Sequence, residues 1–247
     1  IVSSVSGRVS AIVRGEKRVL QAVVLESDGK QACQQHTKFL AASFLELNRH
    51  QIIEHLLATG CWVLIRQRPF QRIPDPDVQP KAIFVQAVNT EPLAADPEFI
   101  LKGQEEDFQR GIDILSKLTE RTVHICCSAV VKSKALIEAR HASVHKFQGP
   151  HPAGNVGTHI HHIDPILKGD VVWYLDIQSV LAIARSFERG TFVPERVVAV
   201  TGEKAEQRVY RKTLFGAAVR DIAGNASYAG TCVISGSILN GRNVGEQ

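Results

Sequence analysis

The sequence predicts an α/β protein built around a parallel, doubly wound sheet. Between about residues 51 and 202, short apolar runs of strand type alternate with stretches of helical period. That order requires crossover connections and therefore parallel strands. A chain of 247 residues with 44% hydrophobic content is long enough to bury such a sheet. From about Glu203 the pattern changes to short apolar pieces punctuated by Gly216, Gly224, Gly230, Gly236 and Gly241, which predicts a separate small α+β module.

From Gly7, GRVSAIVRGEKRVLQAVVLES sets Val9, Ile12, Val19, Leu20, Val23 and Val24 around a turn at Gly15-Glu16 and reads as a β-hairpin. Residues 27–50 are polar and weakly patterned and read as a linker. HQIIEHLLATG places Ile52, Ile53, Leu56 and Leu57 on one helical face, with Gly60 as the stop. RQRPFQRIPDPDVQP, with four prolines, reads as an ordered surface loop before KAIFVQAV resumes as a strand. DPEFILKGQEEDFQRGIDILSKLTE reads as one long amphipathic helix through Phe108, Ile112, Leu115 and Leu118. TVHICCSA is a buried strand, KSKALIEA a short helix, and SVHKFQ a strand leading into a histidine-rich segment. VVWYL, with Trp173 and Tyr174, is the next strand; Asp176 then caps the helix IQSVLAIARSFERG, and PERVVAVTG returns to strand.

The net charge is +4, from 29 basic and 25 acidic residues, with no long Lys/Arg run to track a nucleic-acid backbone, so no nucleic-acid partner is expected. The best apolar run, VVWYLDIQSVLAIA from Val171, is broken by Asp176, Gln178 and Ser179 and is not a membrane span. The five cysteines, Cys33, Cys61, Cys126, Cys127 and Cys232, include no C-x-x-C pair. Their odd number argues against a disulfide framework and fits a reducing, cytoplasmic setting. The sequence starts at Ile1 and contains no methionine, which predicts a piece trimmed at its start.

No Walker A pattern occurs: GSILNGRN from Gly236 lacks the lysine, and no G-x-G-x-x-G follows a strand to open a helix. Lys17 reads as a solvated turn charge. The richest chemistry lies in QGPHPAGNVGTHIHHIDP from Gln148. In an extended backbone His159 and His161 share one face and His162 takes the other, so a zinc site completed by His151 or Asp164 is one reading. The other reading is an ordered corner shaped by Gly149, Pro152, Gly154 and Gly157, whose histidines satisfy backbone groups or line a partner surface. The spacing matches no defined zinc or iron signature, so no bound metal is expected. Ser128, Ser143 and Thr158 lack a nucleophile-elbow context. Phe70, among Arg66, Arg68 and Arg72, anchors a charged loop, or offers a flat ring and cations to a quinone head group or a protein partner.

The segments RPFQRIPDPDVQPKAIFVQAVNTEPLAADPEFILKGQEEDFQRGIDILSKLT, GPHPAGNVGTHIHHIDP, WYLDIQSVLAIARSFERG, KTLFGA and ISGSILNGR together resemble the A subunit of the bacterial Na+-translocating NADH:quinone oxidoreductase. The resemblance runs over essentially the whole chain, and HPAG-x-x-GTHIHH-x-DP is its most specific element. That family is similar in fold to the C subunit of the Rnf complex and to the flavin-binding subunit of respiratory complex I. Those relatives use glycine-rich loops for flavin and nicotinamide and cysteine clusters for iron–sulfur centres, and this sequence has neither device. The resemblance implies a Rossmann-like sheet over 51–202, preceded by part of a biotinyl/lipoyl-like barrel (1–26, the closing half) and a linker (27–50). It implies a soluble-ligand-binding β-grasp module over 203–247.

The resemblance further implies a peripheral subunit on the cytoplasmic face of the bacterial inner membrane. It would work with the membrane-embedded B subunit to deliver electrons to ubiquinone while Na+ is exported. No covalently bound cofactor is expected in this chain, and ubiquinone is the substrate of the complex. The candidate quinone or partner contacts are His151, His159, His161, Arg68 and Phe70; catalytic residues are not assigned. Two other classes remain open: a metal-dependent hydrolase using His151, His159, His161 and His162, and a flavin- or NADH-binding oxidoreductase like the complex I relative. Without a prepared pyrophosphate site, the chain alone is expected neither to bind NADH tightly nor to oxidise it.

Overall fold

In the computed structural model, which describes residues 2–224 and 230–244, the chain opens with the hairpin of β1 (Gly7–Arg14) and β2 (Leu20–Ser27). Val9, Ile12 and Val19 on this ribbon are all more than half exposed. Two strands alone enclose no core. The following stretch is not a free linker along its whole length. Phe44, in a 3-10 turn over Ala41–Glu46, is buried, and the Phe39 ring packs on His55 and Phe187.

The first long helix, α1 (Arg49–Thr59), starts at a capping box. Gln51 N–H donates to the Asn48 side chain, and Asn48 N–H donates to the Gln51 side chain. Ile52, Ile53 and Leu56 are buried as their period predicts, but Leu57 is half-exposed. The inward position beside them belongs to His55, whose Nε2 lies 3.0 Å from the Ser186 carbonyl.

Five strands form the central sheet: β3 (Arg66–Arg68), β4 (Ala82–Ala87), β5 (Val123–Ser128), β6 (Ser143–Phe147) and β7 (Val172–Asp176). Their order is β3-β7-β4-β5-β6; β3 is an antiparallel edge and the other four are parallel. Counted from β4 the parallel strands lie third-second-first-fourth, the order of one half of a doubly wound sheet, so the winding reverses between β4 and β7. The proline-rich segment, expected as loop throughout, thus begins as a strand. Gln67 N–H donates to the Arg72 carbonyl at 2.7 Å, folding the next residues into a tight turn with Phe70 at its tip.

The expected single helix after β4 is two helices, α2 (Pro97–Leu101) and α3 (Glu105–Ser116). Gly103, at φ 76°, breaks the run. After α4 (Lys134–Ile137), α5 (Val156–Ile163) crosses from β6 to β7, and α6 (Ile177–Arg189) starts where the Asp176 carboxylate accepts from Ser179 N–H. One face of the sheet, with Ile83, Val85, Ile125, Trp173 and Leu175, lies in the main core with residues of α1, α3 and α6. The opposite face, with Ala82, Phe84, Cys126 and Val172, packs with Val156 and Ile160 of α5 in a much smaller cluster.

β8 (Glu195–Ala199), the strand expected in PERVVAVTG, pairs antiparallel with β9 (Tyr210–Leu214) rather than joining the five-stranded sheet. The described chain continues through α7 (Val219–Ala223) to the small ladder of β10 (Ile234–Ser235) and β11 (Arg242–Asn243). The architecture is therefore mixed α/β: a mostly parallel five-stranded sheet with three two-stranded sheets among the described residues.

Candidate functional site

The histidine segment is a corner followed by a helix. Residues 148–155 turn away from the end of β6, and GTHIHH belongs to α5, not to an extended strand. The helical period explains this: Val156, His159 and Ile160 are buried with Ile163 beside them, while His161 and His162 face outward. The expected sharing of one face by His159 and His161 therefore does not occur. His159 Nε2–H donates to the Ala153 carbonyl at 2.9 Å, and its ring packs on Phe147. Burial pushes the pKa of His159 down, which favours the neutral ring. Its Nδ1 has no hydrogen-bond partner among the described residues.

The corner is seated on the C-terminal end of β4. Gln86 Nε2–H donates to the Gly154 carbonyl at 2.6 Å, Gly154 N–H donates to Thr90 Oγ1 at 2.9 Å, and Thr90 Oγ1 lies 3.3 Å from His151 Nδ1. A Cβ on Gly154 would come within 2.6 Å of the Thr90 nitrogen, so only glycine permits this approach. Gly149, at φ 140°, and Pro152, after a cis peptide, also belong to the corner. Gly157 does not: it lies in the first turn of α5 with open space around it. In doubly wound sheets the crevice beyond the strand ends at the winding reversal is where ligands bind. Here the backbone around Gly154 occupies the β4 side of that position.

Arg68 and Phe70 lie at the opposite end of the sheet. Arg68 pairs with Val172, the first residue of β7, and its guanidinium sits 5.3 Å from the Tyr174 ring centroid. Phe70 is 84% exposed. A strand of five or six residues at ~3.3 Å per residue separates them from His151 by roughly 15–20 Å. The five candidate contacts thus do not form one pocket: His151 sits at the corner, His159 inside, His161 on the outer face of α5, and Arg68 and Phe70 at the far edge. Asp164 is held by Lys81, whose Nζ is 2.6 Å from it and 3.0 Å from Asp170. Among the described residues, no group of three His, Cys, Asp or Glu side chains is disposed to hold a metal. Lys17 lies exposed in the hairpin turn.

Two features escaped the sequence. His124 of β5 and His145 of β6 meet with Nδ1 and Nε2 3.0 Å apart. Burial, and then the His145 neighbour, push His124 down to about 4, so the pair is neutral near pH 7. Each strand shows one histidine, and only the register brings them together. The second feature is a cavity of about 790 Å³ between the β4–α2 loop and the C-terminal module, with apolar walls from Leu93, Ala95, Val198, Val200, Ile222 and Ile238. Asn89 and Glu91 line it too, so Thr90, the residue between them, links it to the corner. Its walls come from segments more than a hundred residues apart, so no local motif marks it.

Residues 47–192 match the family described as NqrA second alpha/beta domain, and residues 197–246 match the NQRA C-terminal domain. The two matches meet just before or within β8, where the chain leaves the five-stranded sheet. The chain is 43% identical over 240 residues to the A subunit of the Na(+)-translocating NADH-quinone reductase of Neisseria meningitidis serogroup A, covering 96% of this chain and 53% of the relative. Its similarity to the proteins of the same name from Neisseria gonorrhoeae strain NCCP11945 (43%) and Yersinia pestis bv. Antiqua (40%) covers the same shares. The chain therefore spans about half the length of the curated relatives it matches. Among solved structures, an NAD+-reducing NiFe hydrogenase in the H2-reduced state aligns with a TM-score of 0.50 at 13% identity, over 78% of this chain and 44% of the other, a likeness of fold alone. Since the alpha/beta match alone spans more than half of its residues, the chain belongs to the NqrA family, the A subunits of the Na+-translocating NADH-quinone reductases.

Proposed function

We propose that this chain acts within a Na+-pumping NADH:ubiquinone oxidoreductase, as part of a peripheral subunit on the cytoplasmic face of the bacterial inner membrane. It takes part with the membrane-embedded B subunit in ubiquinone reduction coupled to Na+ export. The observation that carries the reading is the family match through both the α/β sheet and the C-terminal module. No helix among the described residues is long and apolar enough to cross a membrane. In this reading the ubiquinone tail reaches its site along apolar surface supplied by the membrane subunits.

A quinone ring needs an apolar slot with one or two donors for its carbonyls. The cavity bounded by Leu93 and Val198 offers the slot, and His151, tethered through Thr90 beside it, is the donor we assign. His159, turned inward, supports the corner, while the outward-facing His161 and Phe70, with the half-buried Arg68 over Tyr174, are partner contacts. The chain alone holds no covalent cofactor in this reading and neither oxidises NADH nor reduces quinone without its partners. We read the β1–β2 ribbon as part of a biotinyl/lipoyl-like barrel, because its apolar side chains need a further layer. We read β8 to β11 as a β-grasp module, with the α/β unit between them and residues 27–50 as the connection. The hydrolase reading finds no support in histidines that point in different directions.

Crosslinking the assembled complex with a photoreactive quinone, followed by peptide mapping, tests the assignment. The expected label falls on residues 89–95, 151–154 or 198–205, and His151→Ala raises the KM for quinone about tenfold, the loss of one hydrogen bond in a dry site. Label confined to other subunits, together with unchanged quinone kinetics in His151→Ala, overturns it.

A further inference from the structure

A second cleft, of about 260 Å³, opens between α6, the α2–α3 turn and β8–β9, away from the corner and the apolar cavity. Its lining includes five cationic side chains, Lys102, Arg185, Arg189, Arg196 and Lys212, and a single carboxylate, Glu195. Ile100, Leu181, Ala182 and Val193 add apolar surface. Glu195 is shared among three of the cations: Lys212 Nζ is 2.9 Å away, an Arg189 terminal nitrogen 3.7 Å and an Arg185 terminal nitrogen 3.9 Å. The Lys212 ammonium holds the Glu195 carboxyl below its ordinary pKa, and this one contact leaves the ammonium further N–H donors.

The two guanidinium approaches are too long for hydrogen bonds, which leaves directed N–H donors at the cleft. Arg185 is fixed from behind by Asp107, at 2.8 Å, and by Gln104. Arg196 is fixed by Asp176, at 3.1 Å, and by the Phe215 ring beneath it. Lys102 has no carboxylate within ion-pair distance among the described residues. With Asp107 and Asp176 behind Arg185 and Arg196, the five cations meet three carboxylates, and only Glu195 of these lines the cleft itself, which leaves an excess of positive charge there. A set of fixed and free donors around a small concave space is what a multiply charged oxyanion requires.

We propose that this cleft binds a small organic phosphate, its dianionic group held by Arg185, Arg189 and Lys212 and its carbon body against Leu181 and Val193. The volume lies just below the range for drug-sized ligands, which selects a compact molecule over a nucleotide. The lining comes from both matched family segments, with Ile100 and Leu181 in the first and Val197 and Lys212 in the second. Binding therefore ties β8–β9 to α6. This site is independent of the quinone reading.

The test is a calorimetric titration of the purified protein with phenyl phosphate at fixed ionic strength, alongside inorganic phosphate and vesicles containing phosphatidic acid. Phenyl phosphate is expected to bind, to weaken as salt is raised, and to lift the Tm by about 3 °C at a tenfold excess over Kd. The double variant Arg189→Gln/Lys212→Gln is expected to bind about tenfold more weakly. Both side chains are at least half exposed, so the fold should tolerate the change. Lys102→Gln, which breaks no ion pair, weakens binding by roughly threefold, while Lys168→Gln in the loop before β7 leaves it unchanged. Absence of phenyl phosphate binding, equal binding in the double variant, or vesicle binding that phenyl phosphate does not displace overturns the proposal.

Discussion

The two faces of the central sheet are covered very differently. On one, α1, α3 and α6 bury Phe108, Ile112, Ile183 and Phe187 completely, and the aromatic cluster of Phe39, Phe44, His55 and Phe187 extends that core toward the N-terminal segment. On the other, one eight-residue helix, α5, lies over a small cluster, and the polar residues His124, His145, Arg66 and Tyr174 are only partly covered. The difference teaches a division of labour. The thick face supplies most of the hydrophobic stabilisation, and the thin face leaves polar groups only partly covered.

The largest expected effect tests that division directly. Phe187→Ala removes a ring packed on three others and should cost about 3–5 kcal/mol, whereas Ile160→Ala on the thin face should cost about 2 kcal/mol because its surroundings can relax toward solvent. Urea unfolding of both variants measures the gap. Equal losses would break the comparison.

The next effect is specific to the corner. In Gly154→Ala the new Cβ meets the Thr90 backbone 2.6 Å away, and backbone cannot give as a flexible side chain does. The expected cost is about 1–3 kcal/mol, with loss of hydrogen-exchange protection at the Gly154 amide. Gly157→Ala serves as the control: its Cβ meets nothing, and in a helix alanine should gain up to ~0.5–1 kcal/mol.

The thick face was largely legible in the sequence and the thin face was not, for a physical reason. Ile52, Ile53 and Leu56, or Phe108, Ile112 and Leu115, repeat at helical spacing because each helix buries one broad stripe. The capping residue Asp176 could be named for the same local reason. In α5 the inward stripe runs Val156, His159, Ile160, Ile163, and a histidine within it hides the period; the glycines and prolines just before it favour a turn. β3 was missed because three polar residues beside Pro69 carry no strand signal, and pairing with Trp173 makes them one. The assignment of β8, the His124–His145 contact and both clefts depend on register or on distant segments, which local patterning does not encode.

The thin face should also be the more acid-sensitive. His124, His145 and His159 all lie on it with pKa values lowered by burial, against His55 alone on the thick face. Between the unfolded value near 6.5 and the folded value of about 4, the native state binds fewer protons at His124 than the unfolded chain does. Stability therefore rises with pH through that window: the contribution is complete above about pH 6.5 and is lost as the pH falls toward 4. Asp164 opposes the shift, and the ring is partly solvated, so the discounted effect is on the order of 1–2 kcal/mol. His124→Gln should flatten the pH dependence of urea unfolding between pH 6.5 and 4.5. An unchanged slope would mean that the pair titrates as it does in the unfolded chain.

The smallest effect on folding, and the sharpest test of the division, belongs to Phe70. The ring is 84% exposed at the tip of the turn after β3, on a backbone with φ 72°, a region that non-glycine residues seldom occupy. Burial therefore contributes little there, and Phe70→Ser should change unfolding free energy by less than ~0.5 kcal/mol. An exposed aromatic beside Arg68 and Arg72 is suited to a partner: the ring offers area at low entropic cost, and the arginines offer directed charge. If the thin side is the docking side, Phe70→Ser should leave the melt of the isolated chain unchanged while weakening its association with the partner subunits about tenfold or more. Loss of stability without loss of association would reverse the roles assigned to the two faces at this edge.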